Sequence, residues 1–440
     1  MKIAQIADCH IGLGYPGPSL SSRFDDINRI LDWTADQLIA EKVDLVLIAG
    51  DCFKDAKVMF DRGTEETICI GNWLRKLSTA GIEVMVISGT PSHDSIAGYK
   101  FLKEMQIPNV NILTKPMIMT ARFGSQVLEG SEEANIACLP GLNRSALLTQ
   151  DEYKGLPPEQ VHRVMTDKIT QLCMGMSAQM PDDKPKILMA HMTYQGAETG
   201  FDDLLMQHEP ILTREAVSGF DLVCLGHIHR PQQIDGKVFY SGPVERLSFN
   251  EQDIKPGFWV HEIGKPGERF VGSGVVTLFK QDAQEKICEA KVQSGSFVDS
   301  NSDTRKWRHE FIETPARRYV TLDFDEQQIK DTLLYSDNPS WWFGTQIQDS
   351  IVRLHYSCSE EVAKQLNRKQ LEKSLYDAGA WYIAEIRATI KKTERSRNNQ
   401  VTENLGPMKA LTLWCKDNSI NDDETTHLLN LTNSLMMEVN

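Results

Sequence analysis

Residues 43–53 read VDLVLIAGDCF. Val43 to Ala49 is an apolar run of strand length, and Gly50-Asp51 follows it directly. A strand that is apolar throughout is buried on both faces, so it belongs to a sheet covered by other layers. The pattern repeats on both sides of this stretch. Upstream, Ile3 to Ala7 reads as a strand ending in Asp8-Cys9-His10. Between the two, Arg23 to Glu41 places Phe24, Ile27, Ile30, Leu31, Leu38 and Ile39 at helical spacing. Downstream come a helix over Gly63 to Ala80 and a strand over Ile82 to Ile87 that leads into GTPSHD, residues 89–94. Further strands are expected at Asn135 to Leu139, Lys186 to Ala190 and Asp221 to Leu225, with shorter ones at Phe239 and Phe258 to Ile263. The fold class is therefore α/β.

With 440 residues the chain exceeds one small domain and implies two or three folding units. Hydrophobic residues at 41% and charged residues at 25% exclude a disordered or low-complexity chain. A net charge of -14 excludes a simple DNA-coating protein, which needs a positive field, though not a local basic groove or a metal site. The nine cysteines are scattered singly with no CxxC pair, which suits free thiols in a reducing compartment. No segment approaches the roughly 18 continuous apolar residues of a membrane span. MKIAQIADCH is broken by Asp8 and does not read as a signal peptide. A soluble cytoplasmic protein is expected, with no repeat at solenoid periods.

The expected organisation is a first domain over 1–280 and a polar linker or long loop over 281–314. A small α+β domain follows over 315–395. It holds strands Arg318 to Phe324, Ile351 to Tyr356 and Trp381 to Ala388, and a helix Ser359 to Leu375. KKTERSR follows from Lys391. Two amphipathic helices are expected within 405–440, one over Pro407 to Lys416 and one from about Asp422. Their apolar face of Leu411, Trp414, Leu428, Leu431, Leu435 and Val439 needs a cover.

The chemistry collects at strand ends, where open α/β sheets place their sites. Asp8 and His10 follow the first strand, Asp51 the second and His93 the third. His191 follows KILMA, and His227 and His229 follow DLVCL. Two carboxylates and five histidines thus converge. Carboxylate with imidazole suits divalent ions such as Mn, Fe or Zn. A carboxylate can bridge two ions, and a pair about 3.5–4 Å apart can bind a phosphoryl group, activate water and stabilise the attacking and leaving oxygens. Phosphate-ester hydrolysis is the reaction implied.

The ordered set DxH, GDxF, HD, a single His and GHxH resembles the calcineurin-like metallophosphoesterases, whose fold is a four-layer sandwich. GHIHRPQQIDGKVFYSGPVERLSFNEQ, from Gly226, and PARRYVTLDF, from Pro315, are similar to the SbcD-type nuclease subunits and the start of their capping domain. The resemblance implies that 1–280 is a nuclease domain, 315–395 a DNA-binding capping domain, and 405–440 the helices that dock on an ATPase. It implies a Mn-dependent enzyme with two ions that cleaves DNA phosphodiesters in repair and recombination. Its partners would be DNA, a second copy in a homodimer, and an SbcC-like ATPase with a long coiled coil. The activities implied are ATP-dependent double-strand exonuclease and single-strand endonuclease. By the same resemblance Asp8, His10 and His229 hold the first metal, Asp51 bridges, and His191 and His227 hold the second. His93 helps protonate the leaving oxygen and Asp94 orients it.

Two positions depart from the family pattern. The family's GNHD supplies a metal-binding Asn, whereas here Ser92 precedes His93, and Ser92, Thr90 or a water would take that place. Lys54 stands where the family often has His, and could meet phosphate as a cation. Cys9 and Cys52 read as small packed residues, and Trp341-Trp342-Phe343 as core or interface. The basic run at Lys391, Lys392, Arg395 and Arg397 reads as a solvated face or a DNA or partner contact. The remaining histidines read as structural or surface groups. Two further readings use the same core: a stand-alone enzyme on a small phosphodiester or nucleotide, and a scaffold without catalysis, favoured only by the altered GTPSHD loop.

Overall fold

The structure is a computed structural model that describes residues 1–440 except 13, 20, 57–62, 93, 124–131, 143–156, 201–208, 265–269, 272–273, 281–285, 293–295, 298–303, 335–342, 392–404 and 440. The chain divides into two compact units. The first holds Met1–Asp323, Tyr335–His355 and Arg368–Arg387; the second holds Phe324–Leu334, Tyr356–Asn367 and Ala388–Asn440.

The first unit is built on two large sheets. One has eight strands in the order Lys286–Val292, Gly274–Lys280, Thr304–Glu313, Gly257–Gly264, Lys2–Ile6, Leu45–Ala49, Glu83–Ile87, Val110–Leu113. From Lys2–Ile6 to Val110–Leu113 the pairing is parallel. Beyond Lys2–Ile6 on the other side it is antiparallel. The second sheet has six strands, with Glu132–Leu139, Lys186–His191, Leu222–Gly226 and Val238–Tyr240 parallel at its centre.

Alternation along these strands sets the layers, because successive side chains point to opposite faces. Ala4, Ile6, Val46, Ile48, Val84 and Val86 pack with Ile27, Ile30, Leu38, Ile70, Leu74 and Leu77 of helices Ser22–Ala40 and Gly63–Thr79. Their neighbours Ile3, Leu45, Leu47, Met85 and Ile87 meet Ile136, Cys138, Ile187, Met189, Leu222 and Cys224 of the second sheet. On its far face, Ala137, Leu188, Val223 and Leu225 pack with Ile169, Cys173 and Met176 of helix Pro158–Gln179. The order is helix, sheet, sheet, helix, the four-layer α/β sandwich expected.

The seam between the sheets contains a polar chain. Gln5 is fully buried, and its Nε2 donates to the carbonyls of Leu225 at 3.0 Å and Phe239 at 2.8 Å. Its Oε1 lies 3.1 Å from His261 Nε2 and so accepts that N–H. His261 Nδ1 is then an acceptor, and His309 Nδ1, 2.9 Å away, donates to it. His309 Nε2 is buried with no hydrogen bond among the described residues. Burial pushes both imidazoles down, His309 to about 3 and His261 well below the ordinary value. Of the two sequence readings for these histidines, structural or surface, the core position of both selects the first.

The sequence differs from the structure at two places. Within 281–314, read as linker or long loop, Lys286–Val292 and Thr304–Glu313 are strands of the eight-stranded sheet. The alternation of buried Trp307 and His309 with charged neighbours makes the second of these polar in composition. The helix expected over Ser359 to Leu375 is two helices, Glu360–Gln365 and Arg368–Asp377. Leu366 between them is extended at ψ 124.

A three-stranded sheet follows the order Tyr319–Phe324, Ile351–Ser359, Tyr382–Lys391. In the second unit, helices Pro407–Asp417 and Asp422–Val439 match the two expected near the C-terminus. Trp414, Leu431 and Leu435 on them are about half exposed. Among the described residues no helix is long and apolar enough to cross a membrane.

Candidate metal centre

The two sheets present the C-terminal ends of their parallel strands to one place. Asp8 and His10 leave the strand Lys2–Ile6, and their backbone keeps pairing with the neighbouring loop: Asp8 N donates to Gly50 O at 3.1 Å and His10 N to Asp51 O at 3.0 Å. His191 is the last residue of Lys186–His191, and His227 and His229 follow Leu222–Gly226. Asp8, His10, Asp51 and His227 have φ of 55, 44, 49 and 95. That region is uncommon for residues with a side chain, and strain of this kind concentrates at functional sites.

One donor atom each from Asp8, His10 and His229 lies within 4.8 Å of the others, and the same holds for Asp8, Asp51 and His191. Asp51 Oδ2 is 3.4 Å from His191 Nε2 and 3.7 Å from His10 Nε2, so one oxygen reaches an imidazole of each set. His10 Nε2 and His229 Nε2 are 3.3 Å apart. His227 belongs to neither group. Its backbone N–H donates to both Asp8 oxygens, at 3.0 and 3.2 Å, and its ring lies 5.3 Å from that of His191. His227 Nε2 is 2.7 Å from Glu209 Oε2.

In two of these imidazoles the nitrogen turned to the cluster is set by the bond at the other nitrogen. His191 Nδ1 donates to Ala49 O at 2.7 Å, and His229 Nδ1 to Glu251 Oε1 at 2.8 Å. Ring orientation in metal sites is commonly fixed this way. Burial pushes both histidines down, but carboxylates outweigh it. Asp51 and Asp8 hold His191 up at about 10, and Glu251, Asp8 and Asp51 hold His229 up at about 9. Burial, opposed by His229 and His191, raises Asp8 above the usual carboxylate range.

These residues fit divalent ions. Asp8 and Asp51 are buried carboxylates, at 0% and 1% exposure, and the negative charge that pulls His191 and His229 upward is charge that a cation would neutralise in exchange for their protons. His191 Nε2 is buried beside Asp51 Oδ2, 3.4 Å away and poorly aligned for a hydrogen bond, and a cation between them would satisfy both. A β-carbon on Gly89 would fall 1.9 Å from Asp51 Oδ1, so only glycine admits Asp51 there.

Asp94 braces the carboxylate loop. Its Oδ2 accepts from the backbone of Asp51 at 3.1 Å and Gly89 at 2.6 Å and from Tyr99 OH at 2.7 Å, and its Oδ1 accepts from Phe53 N at 3.1 Å. Burial, followed by the Asp51 charge, raises it to about 6. Ser92 is exposed, whereas Thr90 donates its N–H to Asp51 Oδ1 at 2.7 Å and holds its hydroxyl 3.5 Å from His227 Nδ1. Lys54 is half-buried and pairs its backbone N–H with Ile11 O. Cys9 and Cys52 are buried, as packed residues would be, and Phe343 is buried as well. His93, Trp341, Trp342, Lys392, Arg395 and Arg397 lie outside the described residues.

Sequence reasoning misses Glu251, Glu209 and Tyr99. Glu251 ends the LSFNE stretch that carries part of the resemblance, but only contact with His229 reveals its use.

A model of the calcineurin-like phosphoesterase family matches residues 1–231. The chain is similar to the SbcD component of the nuclease SbcCD from Escherichia coli K12, 24% identical over 264 residues, 57% of this chain and 62% of that protein. The protein of the same name from Escherichia coli O157:H7 gives the same figures. The chain thus spans less than two thirds of the length of these relatives. Among solved structures, a dimetal phosphatase from Danio rerio is similar at 10% identity and a TM-score of 0.35, covering 68% of this chain and 99% of that one.

Proposed function

The chain belongs to the calcineurin-like phosphoesterase family, a family of metal-dependent phosphoester hydrolases, and from that premise we propose that it is a DNA nuclease subunit. The observation that carries the reading is the convergence of Asp8, His10, Asp51, His191 and His229 at one seam, with donor atoms close enough to share cations. In this reading Asp8, His10 and His229 would hold one divalent ion, proposed as Mn, and His191 and His227 a second, with Asp51 shared between the two sets. Two such ions would supply charge for a phosphodiester and an activated water. His93 protonates the leaving oxygen. Asp94 works through the loop it braces. Thr90, whose N–H meets Asp51 and whose hydroxyl lies 3.5 Å from His227, supplies the neutral oxygen of the altered loop.

The similarity to a protein named as part of a nuclease supports DNA as substrate. That name also suits a partner subunit, and the proposal adds a coiled-coil ATPase in that place, a homodimer, a role in DNA repair and a cytoplasmic location. Residues 315–395 would cap the DNA. The exposed Trp414, Leu431 and Leu435 would meet the ATPase.

The test is cleavage of single-stranded and duplex DNA with Mn, with chelator and with Asp51→Ala. Mn-dependent cleavage that chelator and Asp51→Ala both abolish is expected. Full activity in Asp51→Ala overturns the reading. Hydrolysis of small phosphodiesters without any DNA cleavage would transfer it to the stand-alone enzyme.

A further inference from the structure

His229 and Glu251 also line a cavity of about 770 Å³. That volume falls within the range of small-molecule sites. Trp259 and Phe311 form an aromatic corner of it, edge to face with ring centroids 5.1 Å apart at 63°. Each ring is only partly buried. Trp259 is fixed in place: its Nε1 donates to Tyr240 O at 2.9 Å, and its ring meets Phe239 edge to face at 5.1 Å. Asn250 adds an amide, Asp253 a carboxylate, and Arg230 and Lys255 two cations paired with Glu198 at 3.3 Å and Glu313 at 3.1 Å. The corner is therefore a pre-set aromatic surface beside polar groups, adjoining a histidine proposed to hold metal.

A phosphodiester has two esterified groups, and one bound at the metal centre must place one of them outside the ligand shell. An aromatic wall with amide and cation neighbours matches a nucleobase, which has flat faces and a polar edge. A base paired in a duplex has both faces covered, so only an unpaired base can stack on protein. We propose that this cavity is a base-binding subsite that takes the nucleobase of an unpaired nucleotide whose phosphate lies at the metal centre. The proposal rests on the phosphodiesterase reading above. It assigns Phe311 and Trp259 to substrate choice and leaves hydrolysis to the metal centre.

The test measures binding of thymidine 5'-monophosphate and of methyl phosphate to Mn-loaded protein by calorimetry. The wild type should bind the nucleotide more tightly than methyl phosphate. Phe311→Ala should weaken nucleotide binding about 5- to 150-fold, the range for losing one stacked base, and leave methyl phosphate binding unchanged. Phe311→Leu keeps apolar bulk without an aromatic face, should show the same pattern, and decides the matter if Phe311→Ala does not fold. Equal affinity for the two ligands in the wild type overturns the subsite, as does an equal loss for both in the folded variant. Hydrolysis separates this failure from failure of the underlying reading. Equal kcat/KM on thymidine 5'-(p-nitrophenyl phosphate) and methyl p-nitrophenyl phosphate keeps the phosphodiesterase and removes the subsite. No hydrolysis of either removes both.

Discussion

The carboxylate of Asp94 holds the backbone N–H of Asp51 at 3.1 Å, so one buried acid fixes the main chain of another. Its remaining bonds reach Phe53, Gly89 and Tyr99, which ties the loop after Leu45–Ala49 to the loop after Glu83–Ile87. Asp94→Asn turns an NH2 group toward these donors and leaves at least one unpaired. The expected cost is about 2–4 kcal/mol of stability, from buried donors losing their acceptors. Tyr99→Phe should cost less, about 1–2 kcal/mol, although it also strips Cys52 N–H of its acceptor at 3.0 Å. Denaturant titrations give both values. An Asp94→Asn protein as stable as wild type would show that the brace contributes nothing.

Gly89→Ala tests the Asp51 position without touching a ligand. The added carbon would overlap Asp51 Oδ1 at 1.9 Å and must displace it. The variant should fold, lose bound metal and fall at least tenfold in phosphodiester hydrolysis. Metal content by elemental analysis checks the cause. Normal content with normal rate would show that Asp51 has room to spare.

Glu251→Gln should weaken metal affinity about 10–100-fold, the usual effect of removing an outer partner of a ligating histidine. The amide can still accept from His229 Nδ1–H, but it lacks the charge that holds His229 in place electrostatically. Metal titration of the purified variant decides. Unchanged affinity would leave Glu251 as merely the acceptor for Leu247 N–H.

The histidine pair in the seam predicts acid sensitivity. An unfolded histidine takes its proton near pH 6.5, whereas burial depresses His309 to about 3 in the fold. Between those values the unfolded chain binds the extra proton, so stability is complete above about pH 6.5 and falls as pH drops. By pH 5 His309 alone should cost about 2 kcal/mol. His261, also depressed, steepens the fall. His309→Leu should flatten the slope of stability against pH by about one proton below pH 6. A parallel slope in the variant would contradict this origin.

The sandwich was legible because its central strands are apolar on both faces, as in Val43 to Ala49, and because Asp8, Asp51, His191, His227 and His229 follow such strands at once. What one strand places on each face is local information. Glu251 and Glu209 act on histidines 22 and 18 positions away, through turns that no period records. Asp94 was visible as a neighbour of His93, yet the acceptors it offers serve residues 51, 53, 89 and 99, a relation of folded loops. The strand Thr304–Glu313 was hidden for a different reason. Its inward residues include Trp307 and His309, and a buried histidine reads as polar until a partner such as His261 is seen.

Gln5 stands on the first sheet and bonds to carbonyls of the second, and the proposed ligand set is divided along the same line. Asp8, His10 and Asp51 come from one side, His191, His227 and His229 from the other. Among the described residues neither sheet alone carries either candidate donor group, for the first supplies both acids and one imidazole and the second only imidazoles. Cation affinity is then a clock for assembly: a refolding chain should acquire tight metal binding only when the sheets dock, after each has gained its own strands. A metal-sensitive dye would time that event separately from strand formation, and Gln5→Ala would delay the former while sparing the latter.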